Sequence, residues 1–495
     1  MKKLKLLFFS LLGSVLFNAQ IGIGNGTVTP DPSAILDIQS TSKGLLAPRM
    51  TTAQRLAIAN PAESLLVYDI NLEAFYNYNL STTSWVEVGS TGAMKRLTYK
   101  LVKSKADLKA EIQGEKYVLN TNTLYEINGT VVLDKSIDLN NAYIQGLDSG
   151  DDKLLFPGGT IFSGATGGSI KGLTLTGGQI FNLNGNASQN LIFRDCIVVG
   201  STASVGTISD FGMVFSSIVQ YAGNTSGITY NNINQLLLSN IGWFGNNRGT
   251  FETLTGTFGL VQKQGGFSDV GSTATFAFDV SGNPTISGSA VLESVVFTGD
   301  PTGAKYVKKY SSGSYTGYNF NNNWTVDSPG IPREGDGNAT GTIYKENTAS
   351  FVPTQAENKN TGYKVNTKTT TTNPQTSTLP TNLFRFTAAE GRLTYVGQKP
   401  RTFSVNATVS YEANTATENT DYHFYFVKIV GSTATPLPLP ETTTYTDTKT
   451  KSVISTIPVS GTVTLAKGDS VELWLKRLSD GNPQIEVVSY NLSIK

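Results

Sequence analysis

The most regular hydrophobic pattern in the chain lies in its middle third, where short apolar runs recur at a nearly constant spacing. The runs begin at Ile170, Ile192, Val214 and Leu237, so the intervals between them are 22, 22 and 23 residues. Each run is rich in β-branched residues, alternates apolar with polar positions and closes near a glycine. A fixed period in this range is typical of a solenoid, in which each repeat adds one coil.

The residue types in these runs distinguish between two solenoid folds, the leucine-rich repeat and the parallel β-helix. A leucine-rich repeat requires a fixed ladder of Leu and Asn positions, and the four runs carry no such ladder. A right-handed parallel β-helix requires only short stacked strands with Gly and Asn at the bends. We therefore predict a right-handed parallel β-helix over residues 93–330, with further coils at 130–146, 258–262 and 291–299. The residues predicted to face its core are Leu173, Ile192, Cys196, Val214, Ile218 and Ile241.

A helix signal precedes the first coil. Ser104 can cap a helix, and Asp107 would lie in its favourable first turn. Leu108 and Ile112 are spaced to share one face. We predict a helix over residues 105–113 that covers the end of the stack, because an open β end otherwise pairs with other chains.

The N-terminal region, residues 20–92, predicts a short helix followed by a small β-meander. Thr51 and Gln54 have the spacing of a capping box, and Pro61 stops the helix. The following sequence, SLLVYDINLEAFYNYNLSTTSWVEV, alternates apolar and polar residues around Asn, Asp and Ser turns. Arg49 and Arg55 could be substrate ligands, but we favour a packed or solvated position on the helix flank.

The C-terminal region, residues 383–495, shows at least six alternating segments at the spacing of an antiparallel sandwich, among them TFSVNATVSY and DYHFYFVKIV. Residues 331–382 are rich in Thr, Asn, Pro and Lys and are interpreted as a linker. The predicted fold class is thus mainly β, with a parallel β-helix followed by an antiparallel jelly-roll sandwich.

Two segments resemble known families. The turn LAKGDSVEL, which contains Leu465, Gly468, Asp469, Val471 and Leu473, is similar to that of complement/tumour-necrosis-factor-like jelly-roll heads. Members of that class usually trimerise, so the resemblance implies a homotrimer.

The second resemblance lies in ILDIQSTSKGLLAPRMTTAQRLAI, where Lys43-Gly44, Pro48-Arg49-Met50 and Gln54-Arg55 occur in the expected order. This segment resembles an N-terminal module of exported or phage-tail-fibre-like proteins of Bacteroidota. The resemblance implies an attachment or assembly role for residues 20–92.

The first nineteen residues predict a signal peptide. Lys2, Lys3 and Lys5 precede an apolar run from Leu6 to Phe17, which is too short to span a bilayer. A short N-terminal membrane anchor is the alternative. No later window is apolar enough for a transmembrane segment, so we expect a secreted or cell-surface protein.

Composition excludes some functions. Without the leader's three lysines the chain has 35 basic and 37 acidic residues, and only 15% of its residues are charged. The chain therefore lacks the excess of basic residues that proteins use to bind the phosphates of nucleic acid. The single cysteine, Cys196, cannot form an internal disulfide, and with no histidine nearby we interpret it as a buried thiol rather than a nucleophile.

The acidic residues offer little support for an enzyme. Asp195, Asp210, Glu252 and Asp269 are scattered over the coils without repeat-spaced pairing. Asp148, Asp151 and Asp152 cluster in LDSGDDK, which we interpret as a solvated turn, with a catalytic or calcium role as the alternative. His423, the only histidine, lies among aromatic residues and fits a packed sheet position. We predict no catalytic residue, no cofactor and no metal site.

An aromatic segment, residues 306–326, is the best candidate for binding. Aromatic faces beside amide groups suit sugars, which combine flat apolar surfaces with hydroxyl groups. The glycan-binding candidates are Tyr310, Tyr315, Tyr318 and Trp324. The alternative, which we favour, is that these aromatic residues cover the last coil.

These patterns together predict a non-enzymatic, exported surface fibre or adhesin that binds glycans or a cell surface as a homotrimer. The first alternative is a polysaccharide depolymerase resembling phage tailspikes. The second is a structural matrix or assembly protein. The absence of an evident carboxylate pair favours the adhesin over the depolymerase.

Overall fold

The computed structural model describes ten segments of the chain and divides it into two compact units, one on each side of the boundary between residues 97 and 98. The described segments are 20–88, 98–121, 123–345, 359–365, 378–389, 391–413, 420–431, 435–448, 453–480 and 485–495. The predicted signal peptide, residues 1–19, lies outside them, as do residues 346–358 and 366–377 of the predicted linker. The described part of the chain contains no helix that is both long and apolar enough to cross a membrane.

The N-terminal unit contains the predicted helix and meander. Helix α1 (Thr52–Leu56) begins with the expected capping box, in which Gln54 N donates to Thr51 Oγ1 at 3.3 Å and Thr51 N donates to Gln54 Oε1 at 2.9 Å. Strands β3 to β6 form one sheet in chain order, and β4 to β6 are antiparallel neighbours, which confirms the meander. The strands of this unit are β1 (Ile21–Gly24), β2 (Leu36–Gln39), β3 (Arg49–Met50), β4 (Leu66–Asp69), β5 (Ala74–Asn79) and β6 (Ser84–Glu87).

Arg55 joins the helix to the meander. Its Nε lies 2.9 Å from Asp69 Oδ2, and both side chains are almost fully buried. The guanidinium also stacks on the Tyr76 ring, with its carbon 4.0 Å from the ring centroid. The favoured interpretation of Arg55 as a packed residue is therefore confirmed.

The second unit begins with a β-solenoid of 22 strands, β7 to β28. Apart from the short antiparallel pair β8–β9, the described strands of the solenoid pair in parallel. The stack of parallel strands predicted for residues 130–300 is confirmed, whereas its right hand stays a prediction. The strands are β7 (Tyr99–Val102), β8 (Ile112–Gln113), β9 (Lys116–Val118), β10 (Leu124–Ile127), β11 (Thr130–Val132), β12 (Ser136–Asp138), β13 (Tyr143–Gln145), β14 (Lys153–Gly164), β15 (Gly168–Lys171), β16 (Thr174–Asn184), β17 (Asn190–Val199), β18 (Ser204–Ser209), β19 (Met213–Ala222), β20 (Ile228–Asn231), β21 (Gln235–Trp243), β22 (Glu252–Thr255), β23 (Thr257–Asp269), β24 (Phe278–Asp279), β25 (Thr285–Glu293), β26 (Val296–Thr298), β27 (Val307–Lys308) and β28 (Trp324–Asp327).

Four of the six predicted core positions are correct. Leu173, Cys196, Val214 and Ile241 are each at most 2% exposed and belong to one continuous core. The prediction for Ile192 is wrong. Its neighbours Leu191 and Phe193 both point inward, so the alternation of a strand turns Ile192 outward.

The prediction for Ile218 is also wrong, because this residue occupies a corner between two strand segments. It is 53% exposed and has a left-handed backbone with φ of 54°. The register aligns it with Asp195 in the preceding coil and Asn240 in the next, which have φ of 56° and 52°. Asp and Asn tolerate this conformation, whereas a β-branched residue adopts it only under strain.

A short 3-10 helix, Lys105–Glu111, follows the first solenoid strand and lies close to the predicted position. Ser104 and Asp107 form its capping box, and Leu108 is buried. Ile112 is 42% exposed and begins β8, so the prediction that it shares a helical face with Leu108 is wrong. The helix ends at Glu111, two residues before its predicted end, where the chain becomes extended.

Two fully buried asparagines link adjacent coils. Asn247 Oδ1 accepts from Asn224 N at 2.8 Å and from Asn224 Nδ2 at 3.0 Å. Asn247 Nδ2 donates to Tyr221 O at 2.6 Å and to Phe244 O at 2.8 Å. Buried amides need such partners, so the pair fixes the register of two successive turns.

The chain ends in two antiparallel sheets that share one core, as predicted for a sandwich. Their orders are β31-β29-β39-β34-β37 and β32-β33-β38-β35-β36, and β30 also pairs with β38. The jelly-roll connection of these strands stays a prediction. The strands are β29 (Thr340–Lys345), β30 (Gly362–Lys364), β31 (Thr378–Phe384), β32 (Phe386–Ala389), β33 (Arg392–Tyr395), β34 (Arg401–Ala413), β35 (Thr420–Val430), β36 (Thr435–Thr448), β37 (Ser455–Leu465), β38 (Ser470–Arg477) and β39 (Ile485–Ile494).

The sandwich includes strands from the predicted linker. Strand β29 lies between β31 and β39, so residues 340–345 belong to the sheet and not to a linker. The turn between β37 and β38 has Gly468 at φ of 92°. Asp469 closes this turn by accepting from Ala466 N at 3.0 Å.

We expect Asn247→Ala to lower the free energy of unfolding by about 3 kcal/mol, because it removes the acceptor of a buried backbone N–H and two interior donors. The control is Asn246→Ala, since exposed Asn246 accepts only from Gly223 N at 3.1 Å. This control should cost less than about 1 kcal/mol. Urea unfolding of both variants checks the difference, and equal losses would contradict the role of Asn247.

Candidate functional site

The aromatic segment closes the solenoid rather than forming an open platform. Trp324 is 1% exposed and Tyr310 is 2% exposed. Trp324 Nε1 donates to Tyr310 Oη at 3.0 Å, and Tyr310 Oη donates to Pro284 O at 2.9 Å. Neither ring therefore has a free face on which a sugar could stack, and both belong to the solenoid core.

The other two predicted residues lie where the solenoid meets the sandwich. Tyr318 stacks on Phe384 with ring centroids 4.0 Å apart, and Tyr315 meets the same ring edge-on at 5.2 Å. Both tyrosines are half-buried. The structure thus places the four predicted residues close together along one segment, with two in the core and two at the junction. This arrangement matches the alternative that the aromatic residues cover the last coil.

Arg385 ties the two parts together, and its importance was missed by sequence reasoning. Its Nη2 donates to Trp324 O at 2.6 Å and its Nη1 to Asn322 Oδ1 at 3.1 Å, while the side chain is 1% exposed. Its backbone φ is 59°, in the left-handed region. A lone Arg between two apolar strands offers only a weak signal in sequence, because the two groups to which it donates lie more than sixty residues away.

Asp336 extends this connection on the sandwich side. Its Oδ1 lies 3.7 Å from Arg385 Nε, and its Oδ2 accepts from Gln398 N at 2.8 Å and Lys399 N at 2.9 Å. The Asp336 carbonyl accepts from Arg401 Nη1 at 2.6 Å. These charge-assisted bonds hold the last coil and the sandwich in one fixed arrangement.

Glu334 is a buried acid at the same junction. It is fully buried and accepts from Asn319 N at 2.7 Å and from Phe320 N at 3.0 Å. Burial raises the pKa of its carboxyl to about 7, although the two backbone donors and Arg385 favour the charged form. The protonation of Glu334 therefore changes between mildly acidic and neutral pH.

An open groove of about 410 Å³ lies on the solenoid surface near the predicted acidic cluster. Asp148, Lys171 and Asp195 are among its lining residues. Asp195 lies in a later coil than Asp148, far from it in sequence. The register of the strands stacks the two coils and brings these two residues to the same groove. The groove therefore presents two carboxylates and one ammonium group to solvent.

Asp152 does not behave as part of a solvated turn. It is 6% exposed and accepts from Gly129 N at 2.7 Å and Leu147 N at 2.7 Å. These backbone bonds hold the pKa of its carboxyl below the usual range against the effect of burial. The solvated-turn interpretation is wrong for Asp152, which has a structural role.

The remaining reactive side chains are packed. Burial raises the pKa of the Cys196 thiol to about 12, in agreement with the interpretation as a buried thiol. Lys263 Nζ lies 2.9 Å from Glu252 Oε2 inside the solenoid, where both side chains are 1% exposed. His423 contacts the rings of Tyr425 and Tyr445, and burial lowers the pKa of its imidazole. Within the described segments, no cluster of His, Cys, Asp or Glu could hold a metal ion.

Comparison with known proteins gives one family match, to the phage tail like trimerisation region, over residues 22–101. No curated protein matches the chain. Eiger TNF from S. frugiperda is 9% identical, with 32% of this chain and 91% of that chain covered and a TM-score of 0.21. Murine APRIL is 7% identical, with 32% and 98% covered and a TM-score of 0.21. The enzymatically active domain of tailspike protein 4 from bacteriophage CBA120 is 9% identical, with 90% and 77% covered and a TM-score of 0.20.

Only the family match bears on function, because TM-scores this low do not establish a shared fold. The match spans the N-terminal unit and ends inside β7 of the solenoid. It supports a phage-tail-fibre-like protein and a homotrimer. The resemblance to Bacteroidota proteins stays a prediction.

The raised pKa of Glu334 predicts a pH-dependent stability. The ordinary pKa of a Glu carboxyl is 4.5, whereas that of Glu334 in the folded protein is about 7. Between these pH values the folded state keeps a proton that the unfolded state releases. The contribution of Glu334 to stability is therefore largest below pH 4.5 and falls as the pH rises to 7, by on the order of 3 kcal/mol. We expect Glu334→Gln to remove this decline.

The measurement is the urea midpoint at pH 4.5 and pH 7, compared between wild type and Glu334→Gln. The control variant is Glu293→Gln, because Glu293 is exposed on the solenoid surface. It should keep the pH dependence of the wild type. An unchanged pH dependence in Glu334→Gln would show that Glu334 does not titrate in this range.

Proposed function

We propose that this protein is a trimeric, non-enzymatic binding fibre that is exported to the cell surface or beyond it. Residues 22–101 hold three chains together, the solenoid is the shaft, and the sandwich presents the binding surface. The match of residues 22–101 to a trimerisation region carries this proposal. The rigid junction around Arg385 supports it, since the sandwich needs a fixed position on the shaft.

The burial of Trp324 and Tyr310 moves the proposed binding surface to the sandwich. Tyr445 is 68% exposed on β36, beside half-buried His423 on the neighbouring strand β35. Leu437, on the same strand as Tyr445, is 46% exposed. Exposed rings beside polar groups can stack on sugars and can also contact apolar protein surfaces.

The edge position of β36 favours recognition by side chains. Strand β36 pairs with β35 and ends the sheet in the described structure. Pro436, Pro438 and Pro440 lie on this strand and lack the backbone N–H needed to pair with an added strand. A ligand that reaches this edge therefore meets the side chains of Tyr445 and Leu437.

Binding through three linked copies compensates for the low affinity of a single sandwich surface. One aromatic stacking contact contributes on the order of 1 kcal/mol, so a single sandwich binds weakly. Three linked sites raise the apparent affinity by roughly a hundredfold or more through effective concentration. The trimer and the binding surface therefore depend on each other in this proposal.

The depolymerase remains the second candidate because the groove brings Asp148 and Asp195 together. Two carboxylates on opposite sides of a bound sugar are the minimum for glycoside hydrolysis. Time-dependent shortening of a capsular polysaccharide by the purified protein would favour this candidate. Asp148→Asn and Asp195→Asn would then be the first variants to test.

We expect the chain without residues 1–19 to sediment as a trimer at micromolar concentration. Sedimentation equilibrium measures the mass directly and should give three times the mass of one chain. A monomer under these conditions would contradict the proposed assembly.

We expect Tyr445→Ala to weaken binding to a glycan array and to intact bacterial cells by on the order of tenfold, because each trimer loses three exposed rings. The control is Tyr344→Ala, since Tyr344 is 39% exposed on β29 of the other sheet. It should bind like the wild type. Equal binding by wild type and Tyr445→Ala would place the binding surface elsewhere.

A further inference from the structure

One row of aligned positions outside the continuous solenoid core is apolar in six of seven coils, and one of its members, Leu124, is only 9% exposed. The strand register stacks its positions one above another, from Tyr99 in β7 to Leu237 in β21. We call this set the apolar row, and its members are Tyr99, Leu124, Tyr143, Ile192, Phe215 and Leu237, with Ser169 between Tyr143 and Ile192.

The outward direction of the row follows from its neighbours. In β19 the residues on both sides of Phe215, Val214 and Ser216, are each 1% exposed. In β21, Leu236 and Leu238 beside Leu237 are at most 2% exposed. Successive side chains of a strand point to opposite faces, so Phe215 and Leu237 point away from the core. Tyr99 and Tyr143 are each 50% exposed.

A second outward row shows that the fold itself does not require this apolar surface. Strands β14, β16, β18, β20 and β22 align Ser163, Asn182, Thr207, Thr229 and Thr253 on another face. We call these residues the polar row. Thr207 and Thr229 are partly covered by their stacked neighbours, as Ile192 and Phe215 are. Only the polar row has the composition of a surface that water covers.

The strained corner at Ile218 lies beside the apolar row. Ile218 is three residues beyond Phe215 and exposes 53% of its surface in a left-handed conformation. Other coils place Gly172, Asp195, Asn240 or Gly265 at the aligned corner, and these residue types adopt the conformation more readily. Strain of this kind persists where a contact compensates for it.

The apolar row continues directly from the matched trimerisation region. That region ends at residue 101, within β7, and Tyr99 of this strand begins the row. Because the matched region includes Tyr99–Leu101 of β7, association of three chains through this region would include the first coil of each solenoid. Equivalent faces then meet around a threefold axis, as closed symmetry requires.

We infer that the apolar row lines this axis and packs against the same row of two further copies of the chain. The trimer interface therefore extends from the N-terminal unit along the shaft at least to Leu237. Ile218 contacts a neighbouring copy at the edge of this interface. The polar row faces solvent. This inference rests on the trimer of the proposed function and adds the surface through which the shafts associate.

The test uses single cysteines in the chain without residues 1–19. Phe215→Cys lies on the apolar row, and Thr207→Cys is the matched control on the polar row. Both sites point outward, so neither substitution opens the core. The native Cys196 gives little background, because it is 2% exposed and burial raises the pKa of its thiol to about 12.

Sedimentation of each variant comes first, followed by treatment with a short bismaleimide and denaturing electrophoresis. Phe215→Cys should give covalent dimers, whereas Thr207→Cys and the wild type should stay as single chains. In the intact trimer, a bulky maleimide should label Thr207→Cys at least tenfold faster than Phe215→Cys.

The outcomes separate this inference from the proposed function. If the wild type sediments as a monomer, the proposed trimer fails. If the wild type is a trimer but Phe215→Cys is labelled freely and does not cross-link, only the shaft interface is overturned. The row would then be open to a different partner. A monomeric Phe215→Cys beside a trimeric wild type supports the interface, provided that its far-ultraviolet circular dichroism is unchanged.

Discussion

Parallel pairing between successive coils is the constraint on which the rest of this structure depends. A single coil cannot satisfy its own backbone N–H and carbonyl groups, so each coil needs the next one in register. That register stacks like positions into rows, and the alternation of the strands sends every second row inward. The buried pair Asn224 and Asn247 shows how closely two coils are matched, because a shift of one residue would break its three hydrogen bonds between coils.

The same constraint makes the ends of the stack critical. At the first coil, the short 3-10 helix buries Leu108. At the last coil, Trp324 and Tyr310 fill the core. Arg385, between two strands of the sandwich, donates to the Trp324 carbonyl and to Asn322 Oδ1 and so attaches the sandwich to this coil. Sealing the stack and attaching the sandwich are therefore achieved by one group of residues. The buried carboxyl of Glu334 makes this junction sensitive to pH.

Stacked rows also connect the fold with the proposed function. A solenoid displays each outward position many times along its length, so one choice of residue type defines a whole surface. In the inferred trimer the apolar row packs against neighbouring chains through six of its seven positions, while the polar row faces water. A fibre built in this way needs no separate coiled coil along its shaft. The sandwich is then free to carry exposed groups such as Tyr445.

The sequence by itself determined the features that depend on short segments. The repeat period, the capping box of Thr51 and Gln54 and the turn at Gly468 all follow from local spacing and backbone preference. Only the tertiary structure decided which way Ile192 and Ile218 point, because a corner residue shifts the alternation that a linear pattern assumes. Distant contacts likewise decided that Trp324 lies in the core and that residues 340–345 join a sheet. Their partners are brought together only by the register of coils and strands.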